Sequence, residues 1–338
     1  MSGSDIAEQL VEALHRPDGD DSLRPVHSIG IGASGTFVAS QVAHNYCRAA
    51  HFDGNPVPVQ VRFSNGSGSA TRHDGWSDVR GFAVRFHLPD DTSTDLIAMT
   101  LPEFFTPTPE TFLEFAVAAR PVMYERESPW RKLFGMFKLI PPMRDPYPGE
   151  TISPDPGAIK FADKYGFSQL GVFQAAAIGA PVSYVRAMYH AVHTFIITAP
   201  DGTRRWVRFS WQPIAGVLKT DPAAPPVDDY LQPELRGRFA KMEDARFSLM
   251  MSIGETGDAF DDPTRPWPPH RIRVMMGTLT LDQVAKDQVA DSEKLSFNPC
   301  HLTDGIETSD DPVLKIREEA YKFSSKARGG TPCPFSKG

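Results

Sequence analysis

The sequence predicts an α+β domain organised around an antiparallel sheet or barrel. Apolar and polar positions alternate with a period of two in several segments, and a hairpin turn stands past the middle of the chain. Helical segments never alternate with strands in the βαβ manner that a parallel sheet requires, and no internal repeat is present.

Residues 4–14 open with a Ser4/Asp5 cap and carry helical apolar spacing, a short amphipathic arm. Residues 16–26 are rich in Asp, Gly and Pro and are expected to be irregular. Val57 to Ser64 alternates as a half-buried strand does, and Val79 to Leu88 and Leu96 to Leu101 read as two more. Pro107-Thr108-Pro109-Glu110 begins a helix that runs through Arg120, proline being tolerated in a first turn. Residues 140–157 carry proline at the density of a loop or wrapping segment, and Phe161 to Ala177 looks helical. His193 to Thr198, the Pro200-Asp201-Gly202 turn and Trp206 to Trp211 form a hairpin. Two helices are expected within 228–254 and a strand over Arg271 to Leu281. A last helix starts at Ser309-Asp310-Asp311-Pro312 and runs to about Lys326.

Composition narrows the functional classes. Of 338 residues 41% are apolar and 23% charged, which excludes disordered and fibrous proteins and allows a core that needs no disulfide framework. Lys plus Arg is 35 against 42 Asp plus Glu, a net charge of −7 with no basic block, so neither nucleic acid nor an anionic membrane is an expected partner. Cys47, Cys300 and Cys333 are odd in number and far apart, which suits neither a zinc site nor a disulfide scaffold and fits a reducing, cytoplasmic compartment. Met1 to Arg24 lacks the apolar run of a signal peptide, and no stretch reaches the length of a membrane span. The 22 Phe predict an aromatic interior able to wall a flat cofactor, and the 31 Pro predict long irregular connections.

Two constellations could carry chemistry. Arg317 and Tyr321 stand at i and i+4 of the last helix, on one face and in contact. A guanidinium against a phenol favours the phenolate, a hard anionic ligand for ferric iron, although such pairs are also ordinary on helix surfaces. Near the other end, His27 precedes the Gly-rich stretch Gly30-Ile31-Gly32-Ala33-Ser34-Gly35. No strand precedes it and the spacing is not that of a phosphate loop. A histidine in such a turn suits proton transfer, or is simply solvated. His193 reads equally as a hairpin core residue or as the neighbour of a bound group.

The motifs taken in order resemble haem catalases. Arg24-x-x-His27 with the following Gly-rich turn and Phe37 is similar to that family's distal-histidine segment, and Val61-Arg62-Phe63-Ser64 to its Val-Arg-Phe-Ser strand. Asp78-x-Arg80-Gly81-Phe82-Ala83-x-Arg85-Phe86 resembles Asp-Pro-Arg-Gly-Phe-Ala-x-Lys-Phe, and Asp95-Leu96, Pro102, Phe104-Phe105 and Phe112-x-x-Phe115 follow in register. His193-Thr194-Phe195, Trp267-Pro268, Gly277-x-Leu279-x-Leu281 and Arg317-x-x-x-Tyr321 complete the series. The size of the chain matches the short branch, the catalase-related peroxidases. The resemblance implies a catalase-like antiparallel β-barrel enclosing haem b, with helices outside. It implies an N-terminal arm over 1–23, a haem domain over 24–328 and a tail over 329–338. Family members associate, but this chain lacks much of the arm that knits the classical tetramer, so the resemblance leaves both a homo-oligomer and a monomer open.

The resemblance also implies roles. Tyr321 would be the axial ligand of the haem iron, with Arg317 keeping it a phenolate. His27 would move the peroxide proton, and Ser64 would accept from it and fix its tautomer. Arg24 and Arg62 would meet the propionates, Val26 would narrow the space beside the iron, and Phe104, Phe112 and Phe115 would line the distal cavity. Against the family's Asp-Leu-Val-Gly-Asn-Asn-Thr-Pro, this chain reads Asp95-Leu96-Ile97-Ala98-Met99-Thr100-Leu101-Pro102, and an ungapped alignment sets Thr100 at the distal amide, taken as the second Asn. A hydroxyl is a shorter and poorer donor than an amide. The expected activity is therefore peroxidase, consuming hydrogen peroxide or organic hydroperoxides and oxidising small organic reductants, with weak catalase turnover. The alternatives are hydroperoxide rearrangement, as in allene oxide synthases, and a haem-binding or peroxide-sensing protein without useful turnover. The segment after Tyr321 lacks the family's Tyr-x-Asp-Thr-x-Arg pattern.

Overall fold

The computed structural model describes residues 3–15, 24–67, 73–120, 156–221 and 223–329, the last range without 225 and 227. Two four-stranded antiparallel meanders make the frame. The first holds β1 (Gly30–Ala39), β2 (Val57–Asn65), β3 (Arg80–His87) and β4 (Ser93–Met99). The second holds β5 (Tyr189–Thr198), β6 (Arg204–Pro213), β7 (Ala245–Ile253) and β8 (Arg273–Val284). Pairing of β1 with β8 joins them along one seam, and a bridge between Met99 and His190 closes the other into an eight-stranded barrel. A short β9 (Ile306–Thr308) adds to β5.

Alternation decides what fills the barrel. Val57, Val59, Val61 and Phe63 of β2 point into the bore beside Phe82, Val84 and Phe86 of β3, and all are buried. Phe63 and Phe82 stack at 4.5 Å, Phe82 meets Phe247 at 5.1 Å, and Phe37 sets its edge against Phe86 at 5.2 Å. Each such ring contributes about 2–3 kcal/mol by burial and about 0.5–1.5 kcal/mol more through its ring contacts. Side chains thus fill the bore apart from a small cavity beside Phe86, Leu96, Phe209 and Leu249. The other face of β2 and β3 is also buried, although it carries Arg62, Ser64, Gly81 and Arg85, because a second layer covers it. The space for a ligand lies between that outer wall and the helices rather than in the bore.

The second layer is helical. α1 (Gly3–Leu14), α2 (Ala43–Tyr46), α3 (Pro109–Ala118), α4 (Pro156–Lys164), α5 (Gly166–Ala177), α6 (Leu231–Ala240) and α7 (Pro312–Ala327) are its helices. Ile6 and Leu10 of α1 pack with Phe104, Phe112 and Ala116, and with Val313, Ile316 and Ala320 of α7, in a core separate from the bore. Thr108 and Thr111 form a reciprocal cap at the start of α3, with Pro109 in the first turn. Asp311 caps α7 by accepting from the N–H groups of Val313 and Leu314. Among the described residues no helix is long and apolar enough to cross a membrane.

Several expectations need correction. Only one helix, α6, lies within 228–254; the rest is β7, whose Ala245, Phe247, Leu249 and Met251 are buried alternately. The Gly-rich stretch after His27 is strand β1, not a turn. Its Gly35 is required where the strand bulges, since a Cβ there would stand 2.0 Å from the carbonyl oxygen of Thr280. The helix expected over 161–177 is two, broken at Tyr165. Residues 16–23 and 140–155, and Cys333, lie outside the described residues.

A buried ion pair fastens the wall to its covering. Arg85 on β3 donates to both oxygens of Asp95 on β4 at 2.7 Å, and also to the carbonyl of Ser296 at 2.7 Å. Asp95 accepts in turn from the N–H of Asn298 at 2.9 Å, so segment 296–298 is held against the barrel. Asp95→Ala strands the Arg85 guanidinium in the interior and is expected to cost about 3–5 kcal/mol. Urea unfolding followed by far-UV circular dichroism checks this; a midpoint equal to that of the unaltered protein would remove the pair from the account.

Candidate active site

One row of residues runs across four strands: Ser64 pairs with Gly81, Gly81 with Met99, and Met99 with His190. Cross-strand partners face the same side of a sheet, and here that side looks outward toward α7. Directly before β1, His27 adopts a left-handed backbone, φ +57°, a rare conformation for a non-glycine residue. Its N–H donates to the carbonyl of Gly66 at 3.2 Å and its carbonyl accepts from Arg62 Nη1 at 2.8 Å. The ring then lies over Gly81, with Nδ1 3.0 Å from Ser64 Oγ. No other residue fits under it. A Cβ at position 81 would stand 2.6 Å from Ser64 Oγ and 2.8 Å from His27 Nδ1. Burial pushes the His27 pKa down to about 4; Arg62, Arg317 and Arg24 push the same way, against the raising effect of Asp78.

Across the cavity, Arg317, Ala320, Tyr321, Ser324 and Arg328 present one face of the C-terminal helix segment. Arg317 Nη2 donates to Tyr321 Oη at 3.0 Å, and Arg317 Nη1 donates to His193 Nε2 at 2.7 Å. His193 Nδ1 therefore carries the proton and donates to Asp311 Oδ2 at 2.6 Å. Burial lowers the His193 pKa, with Asp311 opposing, so the ring stays neutral between carboxylate and guanidinium. The other oxygen of Asp311 is the one that caps α7. A bulge in β5 between Ala191 and Phe195 allows this, Val192 turning to the cavity while His193 reaches Asp311.

Three arginines line one rim of the cavity. Arg24 Nη1 meets Glu293 at 2.8 Å, Arg62 Nη2 meets the same carboxylate at 2.9 Å, and Arg328 Nη1 reaches the Glu293 carbonyl at 3.1 Å. Arg24 is buried enough that its pKa falls to about 9, its neighbours Arg62 and Arg328 adding repulsion. One carboxylate among three guanidiniums leaves two positive charges in excess. Val11, Leu14, Val26, Ile97, Met99 and Phe297 make most of the remaining wall apolar, with His190, Ser296 and Ser324 among them, around about 960 Å³ of space that includes open solvent. The residues present suit a flat ligand bearing two carboxylates: the guanidiniums at the rim would meet the carboxylates, and the His27 imidazole and the Tyr321 phenol line the same space.

Of the residues expected from the sequence, Arg24, Val26, His27, Arg62, Ser64, Arg317 and Tyr321 meet at this cavity. His193 does not line it and acts one contact behind, on Arg317. Thr100 is the clearest correction. Its hydroxyl accepts from the N–H of Arg80 at 2.9 Å and it does not line the cavity; the wall position beside Gly81 belongs to Met99. Phe104, Phe112 and Phe115 are likewise absent from the lining. Phe104 and Phe112 pack edge to face in the α1/α3/α7 core, and Phe115 stacks on Phe105. Missed from the sequence were Asp311, Glu293, Phe297, His190 and Arg328. Arg328 could have been found, because it stands seven residues beyond Tyr321 on the same helical stripe.

The barrel and its cavity define a ligand-binding protein with a phenol and an imidazole facing one enclosed space. The profile of the family Catalase matches residues 11–138 and 168–333, and the chain belongs to the catalase family. Among its relatives is "Catalase-related peroxidase" of Mycolicibacterium paratuberculosis, 33% identical over 335 residues, 98% of this chain and 97% of that one. The protein of the same name from Synechococcus elongatus is 30% identical, over 95% of this chain and 89% of the relative. The crystal structure of a fungal catalase has the same fold, with a TM-score of 0.72 and 22% identity over 90% of this chain and 59% of that one.

Gly81→Ala should push the His27 ring off Ser64 and toward solvent. The His27 pKa read by NMR is expected to rise from about 4 toward the ordinary 6.5. An unchanged titration would mean that the glycine does not seat the ring.

Proposed function

We propose that this member of the catalase family is a haem b peroxidase, reducing hydrogen peroxide or organic hydroperoxides at the expense of small organic reductants, with weak catalase turnover. The observation that carries the reading is Tyr321 Oη, held by Arg317 at 3.0 Å, facing the same cavity as the buried imidazole of His27. The names of the two relatives above agree with it. Family membership makes the chain a peroxide-acting oxidoreductase; the haem type, the reductant and the residue roles are our reading.

Arg24, Arg62 and Arg328 would hold the propionates and Tyr321 the iron, whose chemistry when bound is to supply the electrons that break the peroxide O–O bond. The chain's own residues govern the proton. With Ser64 accepting from Nδ1–H, the His27 Nε2 lone pair takes the proton from the near oxygen of the peroxide. His27 then returns that proton to the far oxygen, which leaves as water or as an alcohol. On the other side, Arg317 donates to the Tyr321 oxygen, and Asp311 through His193 keeps Arg317 from swinging away.

Met99 gives the reading its specificity. A thioether offers no hydrogen-bond donor and lies beside His27 where a donor would align a second hydrogen peroxide. Weak catalase turnover therefore follows from Met99 rather than from Thr100. The apolar wall of Met99, Ile97 and Val26 suits the organic part of a hydroperoxide or reductant. Among the described residues Cys47 and Cys300 form no disulfide.

Tyr321→Phe is expected to lose haem or to shift its absorption spectrum. His27→Ala is expected to keep haem and to slow peroxide cleavage by about 10²–10⁴-fold. Stopped-flow spectroscopy of both variants checks this, and cleavage at the full rate in the second would take His27 out of the reaction. Rearranged products from a fatty-acid hydroperoxide without reductant, or no peroxide consumption at all, would replace the peroxidase reading. The base form of His27 is required, and its folded pKa lies near 4. The cleavage rate should therefore stay level from pH 8 to about 5 and fall as acid is added through about 4; a fall centred near 6.5 would mean an exposed ring.

A further inference from the structure

The wall row continues past Met99 to His190, a residue with no part in the function above. His190 faces the side that Gly81 and Met99 face, and it lines the same cavity. Adjacent strands lie about 4.8 Å apart, so two steps put His190 roughly 10 Å along the wall from Gly81, the seat of His27. Met99 stands between them and donates nothing. Ser64, the other polar member of the row, is committed to His27. Among the described residues the His190 ring makes no hydrogen bond, and burial aided by the charge of Arg273 lowers its pKa to about 4. It is a neutral base opening onto the space that a substrate enters.

A reductant that gives up an electron from an O–H group must shed a proton with it. In an apolar cavity that proton needs a receiving base, because a charge left unpaired there is costly. The seat of His27 lies beyond Met99, roughly 10 Å along the wall from His190, too far to receive a proton from a reductant held at His190. We propose that His190 is a second proton-handling residue, receiving the proton of a protic organic reductant, a phenol or a comparable weakly acidic O–H compound, held against Met99. The inference rests on the peroxidase reading and deepens it. In each step the reductant's O–H bond would break, its proton bonding to a ring nitrogen of His190 and its electron passing to the haem that peroxide has oxidised. Two such transfers would supply the two electrons and, relayed from His190, the two protons that convert the second oxygen of the peroxide into water.

The holoenzyme is mixed first with peroxide and then, in separate runs, with guaiacol or with ferrocyanide, which gives an electron and no proton. In His190→Gln the peroxide step is expected to stay within twofold, the guaiacol step to slow by about 10–100-fold, and the ferrocyanide step to stay within twofold. A guaiacol step within twofold of the unaltered protein overturns the proposal. Equal slowing of guaiacol and ferrocyanide also overturns it, since a merely structural role would affect both. The unaltered holoenzyme gives a check that needs no substitution: a solvent deuterium isotope effect on the guaiacol step exceeding that on the ferrocyanide step supports the proposal, and equal effects overturn it. Failure of the unaltered holoenzyme to react with peroxide would sink the peroxidase reading itself, and this inference with it.

Discussion

The two oxygens of Asp311 hold the molecule together at its working point. One accepts the first N–H groups of α7 and so sets where that helix begins and how it is turned. The other takes the proton side of His193 on β5, which leaves the second ring nitrogen to receive Arg317. Helix phase, barrel strand and the guanidinium that bonds Tyr321 are therefore coupled through one buried carboxylate. A rotation of α7 by one residue would break the cap, the histidine contact and the aim of Tyr321 together. Such coupling places a phenol opposite an imidazole that comes from the far end of the chain.

The opposite wall is governed by strand parity. Along β2 and β3 one set of side chains builds the aromatic bore and the alternate set builds the cavity. The row Ser64, Gly81, Met99 and His190 is the product of register alone, and a shift of one residue in any of its strands would exchange chemistry for packing.

That same parity explains what could and could not be read from the chain. The strands read at Val57–Ser64, Val79–Leu88 and, three residues late at its start, Leu96–Leu101, the 200–202 hairpin and the capped helix at Asp311-Pro312 were legible, because alternation, turn chemistry and capping are local signals. β1 was hidden because Gly30 and Gly32 stand where polar residues would mark the outward face, and Gly35 interrupts the inward row of Ile31, Ala33 and Phe37. β7 was hidden because Leu, Met and Lys around it also suit helices. Thr100 was taken for its neighbour Met99 because aligning a motif by letters carries no information about which face a residue takes. The Phe residues could not be assigned by composition, since a ring fills a core as readily as it walls a cavity. Glu293 and His190 carry no local signal at all; their place follows from contacts made across long stretches of chain.

The filled bore has a consequence for how this architecture can change over time. Its stability resides in rings such as Phe63, Phe247 and Trp211, none of which lines the cavity. The cavity therefore lies outside the barrel's main core. Residues of the outer row can then drift toward new reactivity while the fold tolerates each trial, which makes this wall a natural ground for diversification.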